Sequence, residues 1–304
     1  MNMDLRDIEY FTVVAEHGHL GRAAEALGLG QPALSMSLRR LEKSAQAKLV
    51  RRTPKGVVLT AVGAALLSHA GKLRLARDDL AREVADLAHG RAGLVRIGAS
   101  PSNSEVCLPQ ACSTLLMEAP KVTLNVAVLD NDALLPALRK GDLDLAVTHT
   151  QPSPQPDLIQ EPIREDEFVI YCNSSHRLAR RKSVTLEDLA GERWAMTAAV
   201  AFGPLLPLRR AFEERGLPEP RIALLSELVM FKLRAVAGSD LVGVSVKANI
   251  LAVGTELPLK ILRVKGFDWI RAAAVAYRKD AYLSPAARRL IALLKASARG
   301  RPAF

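Results

Sequence analysis

Near the start of the chain, a helical pattern is interrupted where a longer helix would have been easy to form. The segment "GRAAEALGLGQPALSMSLRRLE" places Gly28 and Gly30 between two stretches of good helix formers. Gly28 suits a left-handed turn that residues with a Cβ resist, and Pro32 is tolerated in the first turn of the next helix. Two helices joined by such a turn predict a helix-turn-helix.

The helix after this break has two chemically different faces. Leu34, Leu38 and Leu41 recur at helical spacing and predict a buried stripe. The opposite face carries Pro32, Met36, Arg39, Arg40 and Lys43. A basic face alone is most often only solvated, but the second helix of a helix-turn-helix is the element that enters the major groove of DNA.

A short cationic hairpin is predicted directly after that helix. The segment "LVRRTPKGVVLT" reads as two extended runs around a turn at residues 53–56. Such a hairpin is a wing, and its cations suit contacts with phosphates. The DNA-binding residues predicted on the helix and the wing are Gln31, Pro32, Ser35, Met36, Arg39, Arg40, Arg52 and Lys55.

Positive charge is concentrated in this part of the chain. The net charge of the whole chain is +10, which suits a polyanionic partner. Residues 30–60 hold seven basic residues against Glu42 alone, a net charge of +6, so over half of the excess lies in a tenth of the chain. No signal peptide and no membrane span are predicted, so we expect a cytoplasmic protein without membrane contact.

A long helix is predicted over residues 61–90, which contain no proline. Leu66, Leu73, Leu80 and Leu87 follow one another at steps of seven residues. This heptad spacing favours a seam between two helices, and therefore a homodimer, over a helix buried in a tertiary core.

From Leu94 onwards, strands alternate with helices, which predicts α/β units with a parallel sheet. A second α/β half is expected from "EFVIYC", a capping box at Thr185 and Asp188, "ERWAM", a helix from Leu205, "RIALL" and a helix from Glu227. "LVGVSV" is expected to return the chain to the first half. The predicted domains are 1–60, 61–90 and 91–304, and the last is divided into 94–165 plus 267–304 and 166–266.

Ligands of open α/β sheets bind beyond the carboxyl ends of the strands, and this rule selects a candidate pocket. The predicted effector-binding residues are Ser100, Ser102, Asn103, Thr148, His149, Thr197 and Phe202. His149 is a hydrogen-bond donor and a candidate cation at a strand end, which favours a small organic acid, such as an aromatic carboxylate, as effector. An ordinary capping role is the alternative for each residue.

Residues 15–63 resemble the LysR-type transcriptional regulators. The similarity lies in "RAAEALGLGQPALSMSLRRLE", in the Arg before the wing and in "LT" after it, and "LRKGDLDLAV" and "SSHRLARRKSVTLEDLAGERW" are similar to the effector domain of that family. The family usually has Ser-Phe at the positions of His19-Leu20 and a Ser at that of Gly30, which here removes a side-chain N-cap.

The resemblance implies an α/β protein overall, with an N-terminal winged helix-turn-helix, a dimerisation helix and an effector domain of two α/β subdomains like those of periplasmic binding proteins. It implies binding to double-stranded operator DNA and to a small-molecule effector. It also implies a homodimer or, as is common in the family, a homotetramer, with RNA polymerase as a further partner.

Other functions are disfavoured by the sequence. No nucleotide-binding loop, nucleophile elbow or zinc-protease motif is present, so we expect no enzyme, no cofactor and no metal site. A solute-binding protein would explain residues 94–304 but not the basic N-terminal third. A redox switch at Cys107 and Cys112 is a third alternative, although thiols five residues apart on one helix cannot readily bridge.

Overall fold

The computed structural model of the protein describes residues 3–89, 93–150, 153–202 and 207–299. The chain divides into two compact units, Met1–Ala81 and Arg82–Phe304. The division falls inside one continuous helix, Ala61–His89, which is the long helix that the sequence predicts.

The first unit is a helix-turn-helix with a wing. Its elements are α1 (Leu5–His17), α2 (Leu20–Ala26), α3 (Gln31–Ala45), β1 (Val50–Thr53), β2 (Gly56–Leu59) and the first part of α4 (Ala61–His89). Gly28 adopts a φ of +64°, which confirms the left-handed turn between α2 and α3. Leu34, Leu38 and Leu41 are buried against α1 and α2, which confirms the leucine stripe.

Two of the positions that depart from the usual family residues, His19 and Gly30, differ in their capping. The Nδ1 atom of His19 accepts a hydrogen bond of 3.1 Å from the Gly21 N–H, so His19 caps the N-terminus of α2 with its side chain. Gly30 precedes α3 without any side-chain cap, as its missing side chain predicts. The N-terminus of α3 thus has no side-chain cap, and the helix begins with Gln31 and Pro32.

The wing is fixed to its neighbours through two glycines. Gly56 has a φ of +130°, and a Cβ at this position would lie 2.2 Å from the carbonyl oxygen of Gly18. A Cβ on Gly63, in the first turn of α4, would lie 2.0 Å from the carbonyl oxygen of Leu49. Because only glycine allows such close backbone approaches, the hairpin is held between the end of α1 and the start of α4.

The second unit is a mixed α/β domain. Its helices are α5 (Pro101–Ser104), α6 (Leu108–Glu118), α7 (Asn131–Lys140), α8 (Leu186–Leu189), α9 (Ala198–Phe202), α10 (Pro207–Glu213), α11 (Val229–Ala237), α12 (Lys247–Ala252) and α13 (Pro285–Arg299). Its strands are β3 (Leu94–Ala99), β4 (Thr123–Val128), β5 (Leu145–His149), β6 (Leu158–Asn173), β7 (Arg193–Met196), β8 (Arg221–Leu225), β9 (Val242–Val246), β10 (Leu259–Leu262) and β11 (Trp269–Arg278). A 3₁₀ turn covers Arg177–Arg180, and Thr185 and Asp188 form the predicted capping box of α8.

The strands join in the order β4-β3-β5-β11-β6-β9-β7-β8, with β10 paired to β6. Strands β3, β4 and β5 are parallel in a first half, and β7, β8 and β9 are parallel in a second half. The strands within each half are thus parallel, as predicted, while the long strands β6 and β11 run antiparallel to their neighbours, so the sheet as a whole is mixed. The reason is that these two strands carry the chain between the halves in opposite directions.

Of three local predictions, one found a strand that is longer than expected, one was wrong and one lies outside the described residues. "EFVIYC" is only the second part of β6, which begins at Leu158 and keeps Pro162 in the pairing beside a register shift at Ala273 and Ala274. "LVGVSV" stays in the second half between β6 and β7, and β11 returns the chain instead. The predicted helix start at Leu205 lies outside the described residues.

Each half of the sheet has its own hydrophobic core. The first core packs β3, β5 and β11 against α6 and α13, and Leu115 and Leu290 are buried in it. The second core surrounds Trp194 and Phe212. Phe168 and Trp269 belong to the second core, while Ile163 and Ala273 belong to the first, so β6 and β11 pass from one core to the other.

Candidate functional site

The outward face of α3 presents several of the predicted DNA-binding residues to solvent. Gln31, Pro32 and Arg39 are exposed, and 57% of Met36 is accessible. Ser35 is half-buried, and its hydroxyl accepts a hydrogen bond of 3.2 Å from Nη2 of Arg52 on β1. The wing and the helix therefore form one continuous surface.

Arg40 is different from Arg39, although the two are adjacent. Its guanidinium donates to both carboxylate oxygens of Asp7 on α1, at 2.6 and 3.1 Å, and Ser37 donates to the same carboxylate at 2.5 Å. Burial alone would raise the pKa of Asp7, but the hydrogen bonds from Arg40 and Ser37 outweigh it and lower that pKa. Arg40 therefore neutralises a buried carboxylate that ties α3 to α1, which counts against a phosphate contact.

Lys48 is also engaged within the domain. Its Nζ atom donates to Glu42 at 2.7 Å, and the backbone N–H of Leu49 donates to the other oxygen of the same carboxylate at 3.0 Å. Glu42 is the single acidic residue of the basic segment, and it is buried. Its charge is thus neutralised inside the domain and does not offset the cations of the surface.

The remaining cations of the basic segment are free to meet an external anion. They are exposed, and within residues 3–89 none of them pairs with a carboxylate: Arg39, Lys43, Arg51, Arg52 and Lys55. Two of the seven basic residues are therefore neutralised by the fold, and five are left on α3 and the wing. Lys43 and Arg51 belong to this set, although they are not among the predicted DNA-binding residues.

The heptad leucines of α4 become exposed towards the C-terminal end of the helix. Leu66 packs against the core of the first unit. Leu73, Leu80 and Leu87 are exposed by 47%, 60% and 79%, and Val84 is exposed by 56%. Such a row of apolar side chains along one helix is a surface that another helix can cover.

Three of the predicted effector-binding residues come together on one face of the sheet, where the chain crosses between the halves. His149 on β5, Ala273 on β11 and Arg164 on β6 are aligned in register across three strands. Ala273 has a small side chain, so His149 can reach over it to Asp166, two residues after Arg164 on the same face of β6.

These side chains form a buried network. The Nε2 atom of His149 lies 2.8 Å from Oδ2 of Asp166, and Nε of Arg164 donates to Oδ1 of Asp166 at 2.6 Å. Nη2 of Arg164 donates to Oδ1 of Asn103 at 2.9 Å, and Nδ2 of Asn103 donates to Oγ of Ser100 at 2.9 Å. Ser100 and Asn103, predicted from their place after β3, are thereby linked to His149.

Arg271 adds a second positive charge to this group. It lies opposite Asp166 on β11, and its Nη2 donates to the carbonyl oxygen of Thr150 at 3.3 Å. We call the set Asn103, His149, Arg164, Asp166 and Arg271 the arginine cluster. Two guanidinium groups against one carboxylate leave it with a net positive charge.

The charge states in the arginine cluster follow from burial and pairing. Burial lowers the pKa of His149 and outweighs the raising effect of its bond to Asp166. Burial alone would raise the pKa of Asp166, but the bonds from His149 and Arg164 lower it. His149 is therefore neutral and donates through Nε2, so the arginines, and not His149, supply the positive charge.

The other predicted effector-binding residues lie elsewhere. Thr148 points to the opposite face of the sheet, where its hydroxyl donates to Oδ1 of Asn131 at the start of α7. Ser102 is half-buried, and Thr197 lies in the second half, where its hydroxyl accepts from the Val200 N–H at 3.2 Å. Phe202 ends α9, and its side chain is outside the described residues.

Sequence reasoning missed Arg164, Asp166 and Arg271, which are central to the cluster. They lie in "EPIRED" and "WIRAAA", where polar residues and a proline conceal two crossing strands. The signal that could have found them is the alternation of Arg164, Asp166 and Phe168 at a period of two.

The cysteines do not have the features of reactive thiols. Cys107, Cys112 and Cys172 form no disulfide, and Cys107 and Cys172 are buried. Burial raises the pKa of each thiol, to about 11 for Cys172, so the reactive thiolate form is disfavoured. Within the described ranges, no three His, Cys, Asp or Glu side chains are placed to hold a metal ion, and no helix is long and apolar enough to cross a membrane.

Comparison with known families covers both units. The family described as "Bacterial regulatory helix-turn-helix protein, lysR family" matches residues 5–64, and the "LysR substrate binding domain" matches residues 88–299. The chain belongs to the LysR-type transcriptional regulators. It is a DNA-binding regulator with an effector-binding domain and not an enzyme.

Two relatives in this family are similar to this chain over nearly their whole length. The chain is 30% identical to the regulator CbbR of Rhodospirillum rubrum over 300 residues, which cover 97% of each chain. It is 32% identical to the SDS degradation transcriptional activation protein of Pseudomonas sp. (strain ATCC 19151), over 96% of this chain and 95% of the relative.

Solved structures of LysR regulators share the fold. CbnR aligns with 98% of this chain and 100% of its own at 21% identity, with a TM-score of 0.62. A full-length CbnR complexed with its target DNA aligns with 97% of this chain and 100% of its own at 20% identity, with a TM-score of 0.62.

Proposed function

We propose that α3 enters the major groove of operator DNA while the wing contacts the phosphate backbone. The observation that supports this proposal is the set of five exposed cations on α3 and the wing that pair with no carboxylate in residues 3–89. Arg39, Arg52 and Lys55 contact phosphates. Gln31, Pro32 and Ser35 lie in the first turns of α3, where side chains of a recognition helix reach the bases.

Met36 gives the base contacts of this protein a particular chemistry. It is largely exposed on the recognition face, and it has neither a donor nor a charge. An apolar side chain at a base edge contacts the methyl group of thymine. Arg40 belongs to the fold through Asp7, and in this proposal it contributes to DNA binding only by holding α3 in place.

The regulator acts as a homodimer through α4 and assembles further into a homotetramer. The support for the dimer is the exposed row of Leu73, Leu80, Val84 and Leu87. Two recognition helices of a dimer then occupy half-sites about one helical turn of DNA, or a multiple of it, apart. The proposal includes contact with RNA polymerase at the promoter and a cytoplasmic location, because the operator DNA lies there.

The effector of this proposal is a small organic acid. The support is the net positive charge of the arginine cluster, which lies on the strands that connect the two halves of the effector domain. Ser100, Ser102 and Asn103 add hydroxyl and amide groups beside the anion, and His149 orients Asp166. Binding shifts the balance between two arrangements of the domain when one of them binds the acid more tightly.

A gel-shift assay with the DNA upstream of its own gene tests the DNA-binding proposal. Three phosphate contacts predict that raising the salt from 50 to 200 mM weakens binding by about 40-fold for each DNA-binding domain. The matched control is Arg263→Ala, which removes an exposed arginine of the effector domain. DNA binding that is independent of salt, or DNA binding that is weaker for Arg263→Ala than for the wild type, would contradict the proposal.

Titration calorimetry with a panel of carboxylates tests the effector proposal. Arg164→Met and Arg271→Met should each weaken the binding of a carboxylate at least tenfold, whereas His149→Gln should weaken it less, because His149 carries no charge. Arg263→Ala serves again as the control. Equal binding to the wild type and both arginine variants would rule out the arginine cluster as the anion site.

A further inference from the structure

A second polar group lies at the carboxyl ends of the strands in the second half, on residues that no motif in the sequence points to. Lys232 sits in the first turns of α11, and only 2% of it is exposed. Among the described residues, its Nζ atom donates no hydrogen bond, although an ammonium group has three donors. Buried polar groups are normally hydrogen-bonded, so this lysine needs an explanation.

Glu227 lies two residues before the first residue of α11, and it attracts Lys232 electrostatically. Its Oε1 atom accepts a hydrogen bond of 2.6 Å from the backbone N–H of Ala198, which follows β7. Its Oε2 atom is buried and has no donor within the described part of the chain. The Oε2 atom of Glu227 is thus a buried acceptor without a donor. It lies close to the ammonium group of Lys232, whose donors are without acceptors.

Asp130 belongs to the first half of the domain and lies near Glu227 of the second half. It follows β4 and precedes α7, and its carboxylate lies near enough to Glu227 to raise the pKa of Glu227. We call Asp130, Glu227 and Lys232 the lysine cluster. It joins one carboxyl group from each half with one ammonium group, and it has a net negative charge when all three are ionised.

The lysine cluster and the arginine cluster are separate. Asn131, next to Asp130, accepts a hydrogen bond from Thr148, which faces α7, whereas His149 faces the opposite side of the sheet. The strands β4 and β5 are two positions apart, so Asp130 and His149 are separated by about 10 Å across the sheet. A group bound at one cluster therefore need not displace a group bound at the other.

The unused groups of the lysine cluster define the ligand that would satisfy them. The donors of Lys232 need an anionic acceptor, and the free oxygen of Glu227, with Asp130 beside it, needs a cationic donor. An anion alone would leave the carboxyl pair unsatisfied, and a cation alone would leave the lysine unsatisfied. A group that carries a carboxylate and an ammonium on the same carbon supplies both.

We propose that the lysine cluster binds the head group of an α-amino acid, with the carboxylate on Lys232 and the ammonium group between Glu227 and Asp130. This inference rests on the proposed effector-binding function, and it adds an amino acid as a second ligand of the effector domain, at a cluster separate from the arginine cluster. Since Asp130 and Glu227 belong to different halves, the ammonium group would link the halves when the amino acid binds.

The ionisation of the free cluster agrees with this assignment. Burial raises the pKa of Glu227, and the nearby Asp130 raises it further against the lowering effect of the Ala198 N–H. Burial lowers the pKa of Lys232 to about 8. Both groups are thus shifted towards their neutral forms in the empty site, and a zwitterionic head group would restore their charges.

Calorimetry on the full-length protein tests the proposal with matched probes. The twenty standard amino acids are titrated first, and the tightest-binding one is then compared with the acid that lacks its amino group and the amine that lacks its carboxylate. We expect each truncated probe to bind at least about tenfold more weakly, as the loss of one charge-assisted contact predicts. Equal binding by the deaminated acid, or no binding of any amino acid at millimolar concentration, would overturn the proposal.

Three variants locate the site. Lys232→Met, Glu227→Gln and Asp130→Asn should each weaken the binding of the amino acid at least tenfold, with Glu214→Gln, on an exposed pair with Arg210, as control. Lys232→Met should also raise the melting temperature of the ligand-free protein, because it removes an unsatisfied buried charge; a variant that merely unfolds would lower it.

The outcomes separate this inference from the effector proposal on which it rests. If a simple carboxylate binds, Arg164→Met abolishes its binding and amino acids show no advantage, then the arginine cluster binds the effector and the lysine cluster does not. If amino acids bind but the three variants bind them as well as the wild type does, the lysine cluster is equally excluded.

Discussion

Arg39 in the DNA-binding domain and Arg164 in the effector domain show how differently the two domains treat a positive charge. Arg39 is exposed, and no carboxylate within residues 3–89 pairs with it. Arg164 is largely buried and bonded to both Asp166 and Asn103. A polyanion can meet only charges that remain at the surface, whereas a small ligand can be enclosed by charges that the fold has already positioned.

The same contrast explains which interactions stabilise each domain. In the first unit, Asp7 and Glu42 are buried carboxylates whose partners, Arg40 and Lys48, reach them from exposed positions. In the effector domain, His149, Asp166 and Arg164 are joined away from water, where an unpaired charge is far more costly. Removing one charge should therefore have a much larger effect on folding in the effector domain.

Asp166→Ala should show the largest effect of this kind. It leaves the half-buried guanidinium of Arg164 without its carboxylate and removes the negative charge opposite Arg271, and we expect a loss of about 3–5 kcal/mol in the free energy of unfolding. Calorimetric melting of the full-length protein measures it. Asp240→Ala, which breaks the exposed pair with Arg193, is the control and should leave the melting temperature nearly unchanged. A small effect of Asp166→Ala would remove the contrast between the domains.

Lys232 predicts a pH dependence that is specific to the effector domain. Its pKa is lowered from 10.5 to about 8, so between these values the unfolded chain binds more protons than the folded protein. Stability should then rise with pH from about 8 to 10.5, by on the order of 3 kcal/mol. Urea unfolding of the wild type and of Lys232→Met over this range isolates the effect. Parallel curves for the two proteins would show that Lys232 does not titrate in this way.

Arg40→Ala should affect folding more than DNA binding. The substitution leaves the buried carboxylate of Asp7 with Ser37 as its remaining side-chain partner, so the DNA-binding domain should melt at a lower temperature. The pKa of Asp7 should rise towards its ordinary value, which reduces stability at neutral pH but not at strongly acid pH, because the lowered pKa stabilises the fold only while the carboxylate is ionised. Thermal unfolding monitored by circular dichroism at two pH values measures both effects. An unchanged melting temperature would argue that Arg40 is free for DNA.

Arg39→Ala should affect DNA binding and leave folding unchanged, and of these predictions it should give the smallest change in free energy. The loss of one phosphate contact should reduce the salt slope of DNA binding by about 0.9. The loss of affinity relative to the wild type should therefore be about fourfold larger at 50 mM salt than at 200 mM salt. The melting temperature should stay constant, since Arg39 bonds to no carboxylate in the described residues. Gel shifts at 50 and 200 mM salt compare the Arg39 and Arg40 variants. Equal salt slopes for the wild type and Arg39→Ala would place Arg39 off the DNA.

Much of the DNA-binding domain could be predicted because its signals are local. The glycine turn at Gly28, the buried leucines of α3 and the uncapped helix start at Gly30 all depend on residues within a few positions. Backbone conformation and helical period act over such distances. The capping box at Thr185 was predictable for the same reason.

The contacts that decide the role of each charged residue are not local. Arg40 meets Asp7 across 33 positions, and Arg164 meets Asn103 across 61 positions. The prediction placed both His149 and Thr148 in the pocket because they follow one strand, but adjacent residues of a strand point to opposite faces. Which face meets Arg164 depends on the pairing of β5 with β11 and of β11 with β6.

The sequence by itself determined the winged helix-turn-helix, the long helix after it and the two α/β halves, because turn chemistry and hydrophobic period are written in neighbouring residues. Only the tertiary structure decided which cations remain free for DNA, that His149 is a neutral partner of Asp166, and that Lys232 is buried beside Glu227. Burial and the pairing of distant strands set the charge of these groups, and both exist only in the folded chain.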